Sequence, residues 1–170
     1  LGKIGYGWIF PLAGNEYHVG CGSLIADPHR IMDEIGWLRD DHHTARCACT
    51  GAIRLTAPQY SQPFVSRDRT SEIWGVGEAI GCVAPLAGDG IVPGMRSVQL
   101  LMKWWNDPAG YTRATLKEFY WMEKERQVIN KLKNSEHLAL RDAWVLKNNA
   151  RRMGMQVGLT EAASLLRHLK

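Results

Sequence analysis

The first hydrophobic pattern along the chain has a period of two. Residues 4 to 10, IGYGWIF, and 16 to 21, EYHVGC, are strand-like and separated by Pro11 to Asn15, which predicts a β-hairpin. Alternation sets Tyr6, Trp8 and Phe10 on one side of the first strand, so that a single surface presents all three. Asp27-Pro28 then has the form of an N-cap and first helical residue, followed by Ile31, Met32, Ile35 and Leu38 at helical spacing. Strand character returns at 45 to 56, ARCACTGAIRLT, and at 71 to 77, SEIWGVG, around a polar, proline-containing loop at 57 to 70.

Beyond that point the period becomes helical. Ile91, Met95, Val98, Met102 and Trp105 follow one face of a helix predicted from Gly90 to Trp105. Asp107-Pro108 ends it and caps a longer one, 108 to 133, carrying Leu116, Phe119, Met122, Ile129 and Leu132 on a broad apolar side. Ser135 is placed to cap a third helix holding Leu138, Trp144 and Val145, and Thr160 a short fourth. Strands followed by helices predict an α+β fold. The chain divides into a β-sheet part at 1–74, a turn and helix at 75–106, and a helical region at 107–170.

Composition adds limits. The chain has 170 residues, 45% hydrophobic and 22% charged, the balance of an ordinary globular domain. No apolar run approaches the roughly 20 residues that span a bilayer, and the N-terminus lacks the order of a signal peptide, so a cytoplasmic protein is expected. The sequence begins at Leu1, inside strand-like residues, which reads as a piece of something longer. A net charge of +4 hides a division: residues 1 to 107 hold 9 Lys/Arg against 11 Asp/Glu, residues 108 to 170 hold 12 against 6. Interspersed signs on helices describe a solvated face, and no aromatic-interleaved basic motif points to nucleic acid.

DHHTARCAC gathers His42, His43, Cys47 and Cys49, but not at the usual zinc-ligand spacings, so no metal site is expected. Cys47 and Cys49 share a strand face, as plain reduced thiols or as residues bordering a reactive cavity. The seven tryptophans mostly serve as core anchors. No Ser-His-Asp or paired-carboxylate arrangement stands out.

The densest signal is GVGEAIGCVAPLAGDGIVPGM, residues 75 to 95. Glycine inside structure costs roughly 0.5–1 kcal/mol against alanine, so a cluster implies close approach to the backbone. A strand, a glycine-rich loop and a helix start are consistent with tight packing, or with a ligand whose anionic or electron-rich group meets the free amides of the helix.

The run GVGEAIGCVAPLAGDGIVPGMRS resembles the second flavin-binding segment of geranylgeranyl reductase-like flavoproteins, where a strand ends in G-[DE]-A and a P-L-x-G-x-G-I turn enters a helix. GYGWIFP is similar to that family's Y-x-W-x-F-P segment. The resemblance covers residues 5 to 105 and, more loosely, the WMEKER region. It implies an FAD-dependent reductase with a p-hydroxybenzoate-hydroxylase-like fold, saturating isoprenoid double bonds of membrane lipids or chlorophyll precursors, cytoplasmic and in contact with the membrane surface. It also implies that Glu78 hydrogen-bonds the ribityl or pyrophosphate region, and that Pro85, Leu86, Ala87, Gly88, Asp89, Gly90 and Ile91 lie along the isoalloxazine edge. Tyr6, Trp8 and Phe10 would face the prenyl substrate, Tyr6 being the nominee for proton donor. The family's opening βαβ unit with GxGxxG is absent from these residues. The chain is therefore expected to be a C-terminal part that retains no FAD by itself and self-associates. The alternatives are a part of a flavin monooxygenase or halogenase, and a non-catalytic interaction domain with structural glycines.

Overall fold

The computed structural model describes residues 5–24, 49–152, 154 and 158. It is a mixed α+β chain in which two small antiparallel two-stranded sheets are followed by four helices. It divides into two units, Leu1–Gly51 and Ala52–Lys170, taken here in turn. The helix expected near 27–38, the short one at Thr160, and His42, His43 and Cys47 lie outside the described residues.

In the first unit the expected hairpin forms from β1, Gly5–Pro11, and β2, Tyr17–Ser23. Gly14 turns the chain at a φ of 72°, and Leu12 N–H closes the loop on the Glu16 carbonyl at 2.9 Å. The register sets Trp8 opposite Gly20 and Phe10 opposite His18. Gly20 has a steric reason: a Cβ there would run into the Trp8 indole, which lies across β2.

In the second unit β3, Val65–Arg67, pairs with β4, Glu72–Trp74, and the Arg67–Glu72 ion pair closes the hairpin at 2.6 Å. The polar loop expected at 57–70 is thus partly structured. Pro58–Tyr60 is a 3-10 turn, and Ala57, Pro58 and Phe64 are buried. The strand expected over 45–56 does not form across its described part, 49–56, because no other described strand pairs with it.

The helices are α1, Ile91–Lys103; α2, Pro108–Glu118; α3, Tyr120–Lys133; and α4, Leu140–Arg152. Asp107 caps α2 as expected, its carboxylate accepting the Gly110 N–H at 2.8 Å with Pro108 in the first turn. The single helix expected over 108–133 is instead broken at Phe119. The Met122 N–H reaches only three residues back, to the Phe119 carbonyl at 3.0 Å. No proline or glycine causes the break; it turns Tyr111, Phe119 and Met122 into one core with Ala57, Phe64, Ile80, Cys82 and Leu100. Ser135 does not cap a helix either. It sits at a φ of 54° and ends α3, its N–H bonded to the Leu132 carbonyl. Asp142 does that work for α4, accepting the Ala139 N–H and the Lys131 ammonium, each at 2.7 Å.

The stripe of α1 forms as expected and faces outward. Pro93, Ser97 and Leu100 are buried, while Ile91, Val92, Met95, Val98, Met102 and Trp105 are exposed, Ile91 at 76% and Met102 at 70%. The polar bonds of Ser97 decide the inner face: its hydroxyl accepts the Gly77 N–H at 2.9 Å and donates to the Gly94 carbonyl at 2.6 Å. The apolar stripe is left outward.

Candidate functional site

The site is built on the segment that joins β4 to α1. A 3-10 turn, Gly77–Ile80, follows the strand and ends at Gly81, whose φ of 75° and contact with the Thr56 carbonyl exclude a side chain. Cys82, Val83, Ala84 and Pro85 are then buried in succession. Two bonds close the next loop: Ala84 N–H to the Asp89 carbonyl and Gly88 N–H to the Ala84 carbonyl, both at 2.8 Å, with Gly88 at a φ of 65°. The Asp89 carboxylate accepts the Ile91 N–H at 2.9 Å, and Gly90 is the N-cap of α1.

The glycines of this segment therefore divide by role. A Cβ on Gly75 would collide with Ile80, and one on Gly81 with Thr56 and Ser61. Gly77 sits at a φ of 60°, where its N–H meets the Ser97 hydroxyl, and a Cβ on it would meet Gly94 at an ordinary 3.8 Å. Gly90 differs: its backbone is at φ −107° and ψ −10°, open to any residue, and a Cβ would meet only Val83 at an ordinary 3.5 Å. The chain's own packing does not demand glycine there.

Pro85, Leu86, Ala87, Gly88, Asp89, Gly90 and Ile91 thus form one continuous edge running into the start of α1. Of the first-turn N–H groups of α1, that of Ile91 is taken by the Asp89 carboxylate, Pro93 has none and that of Gly94 bonds the Gly90 carbonyl, which leaves the Val92 N–H. Ile91 and Val92 add exposed apolar surface beside it. Glu78 is less directly placed. It is exposed, and its Oε1 already accepts the Arg54 N–H at 2.9 Å, a contact that ties Arg54 to the turn.

Beneath the edge lie groups that sequence reasoning missed. Glu125 of α3 is buried, and its Oε2 has no hydrogen-bond partner. Burial pushes this acid up to about 7, against the lowering effects of Leu86 and Arg152. Cys82 is raised by burial to about 12, so its thiol stays protonated. Tyr111 also rises to about 12, through burial and then the neighbouring Cys82, and its hydroxyl donates to the Gly75 carbonyl at 2.8 Å. An acid on a helix has no sequence signal that separates it from its exposed neighbour Lys124; only the break at Phe119 sets which side faces inward.

In the first unit, Tyr6, Trp8 and Phe10 do share one face of β1, with ring centroids 5.8 Å apart for Tyr6–Trp8 and 6.4 Å for Trp8–Phe10. His18 joins them from β2, stacked on Phe10 at 6.3 Å, and its Nδ1 accepts the Trp8 indole N–H at 3.2 Å. Neutral His18 then carries its proton on Nε2. Cross-strand register across a five-residue turn is the signal that would have found it. Cys49 is exposed.

No cluster of three or more metal-ligating side chains occurs among the described residues, and no described helix is long and apolar enough to cross a membrane. No protein-family model, no curated protein and no solved structure matches the chain.

Proposed function

We propose that this chain is the flavin-turn and hydrocarbon-binding part of an FAD-dependent reductase that saturates isoprenoid double bonds of lipids or chlorophyll precursors, with a p-hydroxybenzoate-hydroxylase-like fold. The observation that carries the reading is Gly90, a glycine at the mouth of α1 that neither backbone strain nor internal packing requires, at the end of a loop that leads to the Val92 N–H. A side chain there would crowd a ring brought up to that amide.

When bound, reduced flavin supplies the hydride. The residues of this chain bind, orient and exclude water. The Pro85–Ile91 edge holds the pyrimidine end, and its amides stabilise the negative charge that grows there on reduction. Tyr6, Trp8 and Phe10 present an aromatic face to the hydrocarbon, with Tyr6 and the Nε2–H of His18 as the proton-bearing groups on that face. Glu78, by holding Arg54, fixes the outer wall of the turn and leaves its second oxygen for the ribityl chain. The ADP half of the cofactor needs the GxGxxG unit that these 170 residues do not contain. The enzyme would work in the cytoplasm against the membrane surface where prenyl lipids reside.

The test is flavin content and prenyl reduction in the full-length parent that this reading requires. Stoichiometric FAD, lost on Gly90→Val, is the expected result; a folded parent without flavin overturns it, and leaves the glycines to packing alone.

A further inference from the structure

At about 100° per residue, Leu140, Trp144, Lys147 and Arg151 fall within an arc of about 60° on α4, with Arg141 and Asn148 beside them. The buried residues of the helix, Asp142, Asn149 and Ala150, lie on the opposite side. Leu140 is 85% exposed and Trp144 61%, so two large apolar side chains stand away from the core among cations. The helix has 13 residues, about 20 Å, too short to cross a bilayer but long enough to lie on one.

Charge on α3 and α4 is sorted by side, whereas a merely solvated face would intersperse its signs. The one acid of α4, Asp142, is buried and bound to Lys131 at 2.7 Å. Glu125 of α3 is buried, and Glu123 is taken by Tyr60, Arg126 and Gln127. Glu136, in the link between the helices, accepts the Asn134 amide at 2.8 Å. The outer face of α4 thus carries no acid, and among the described residues no salt bridge takes up Arg141, Lys147 or Arg151. Arg152, at its flank, lies over the Trp121 ring, 4.5 Å from the centroid.

We propose that the face of α4 formed by Leu140, Trp144, Lys147 and Arg151 is a membrane-surface anchor, with the helix lying in the plane of an anionic bilayer. Its cations meet the lipid phosphates, while Leu140 and the Trp144 indole enter the headgroup level, where an amphipathic ring is most stable. Each Lys or Arg close to such a surface strengthens binding about fivefold, and salt screens the attraction. The phosphates of a nucleic acid would engage the same cations but give the exposed Leu140 nothing to bury against, so both halves of the face fit a bilayer. The anchor deepens the reading above, which sets the enzyme against a membrane, and rests on it for its purpose; the geometry of the face does not depend on the flavin.

The experiment is flotation of the full 170-residue chain with vesicles of phosphatidylcholine, alone or mixed with an equal share of phosphatidylglycerol. Binding is expected to the anionic vesicles, at least about tenfold weaker to phosphatidylcholine alone, and weakened by high salt. Lys147→Glu with Arg151→Glu should weaken it about 25-fold or more, and Trp144→Ser about tenfold. Leu140→Ser gives a second reading of the apolar part at a site outside the core, and an unchanged urea midpoint reports that each variant folds. Absent binding, or equal binding to both kinds of vesicle, overturns the proposal. Binding that none of these substitutions weakens also overturns it and assigns the contact to the outward stripe of α1. Retention of duplex DNA, with vesicle binding untouched in Trp144→Ser and Leu140→Ser, would mark a polyanion surface and overturn it as well. Gly90→Val is expected to leave vesicle binding unchanged, so the flavin reading and the anchor fail separately.

Discussion

Ser97 of α1 holds the Gly77 backbone N–H on its hydroxyl at 2.9 Å, and the pair fixes which side of the helix faces inward. Ser97 is fully buried, so Ser97→Ala leaves the Gly77 amide without its acceptor. A loss of about 1–2 kcal/mol is expected, read as a lower urea midpoint at unchanged slope. An unchanged midpoint would show that packing of Leu100 and Pro93 alone orients α1.

The glycines of the turn should respond unequally. Gly81→Ala adds a side chain at a φ of 75° against the Thr56 carbonyl, and is expected to cost about 2 kcal/mol or more. Gly90→Ala should leave thermal stability within about 0.5 kcal/mol, since its Cβ meets only Val83 at 3.5 Å. Thermal melts of the two variants decide between a segment made for packing throughout and one with an open position at its end.

Stability should fall as pH rises from about 4.5 to about 7. The folded-state value of Glu125 is raised from 4.5 to about 7, so the unfolded chain releases this proton first, and between those values folding weakens by roughly 3 kcal/mol. Asp142 works in the other direction. Burial tends to raise it, but the Lys131 ammonium and the Ala139 N–H together hold it below 3.8, so its contribution is present above that value and is lost in acid. Urea midpoints should be higher at pH 5 than at pH 8, and Glu125→Gln should remove most of that difference. A chain more stable at pH 8 than at pH 5 would contradict the burial of an ionisable Glu125.

Trp8 reads out the hydrocarbon face. Its indole spans Gly20 and donates to His18, so Trp8→Ala strips the centre of the aromatic row of the first unit. In the parent enzyme, prenyl turnover is expected to fall at least about tenfold with flavin content unchanged. Equal losses of both would assign Trp8 to folding.

Hairpins and helices announced themselves in the sequence because their periods are local. Tyr6, Trp8 and Phe10 alternate on a strand long enough to fix its own register, and Asp107-Pro108 is a start signal that needs nothing from elsewhere. Facing was not local. The periodicity of Ile91, Met95, Val98, Met102 and Trp105 marks a stripe correctly but cannot say that Ser97 and Gly94 will claim the inside through a bond to Gly77. The break at Phe119 was equally hidden, since it arises from sharing a core with Phe64 and Ile80 and not from a breaker residue. Of the turn, the loop and the helix start were legible; Glu125, some 40 residues further on, was not.

The outward stripe of α1 has its own consequence in solution. Five exposed apolar side chains on about 20 Å of helix, with Trp105 just past its end, form a patch on the order of 600 Å², the upper end of what monomers expose. The chain is therefore expected to self-associate through α1 and the glycine-rich turn, in pairs by preference. Met95→Lys with Met102→Lys should return it to 19.1 kDa by light scattering. A monomer of that mass at high concentration without the substitutions would overturn this.

The break at Phe119 also divides the molecule by its tolerance of changes in length. Each residue added to a helix rotates everything beyond it by about 100°, so one inserted between Phe119 and Met122 would swing Met122, Glu125 and Ile129 out of their buried positions. An insertion at Glu136 or His137, in the exposed link after Ser135, leaves α3 in phase. The first turn of α3 thus acts as a gauge whose length is fixed by the core it serves.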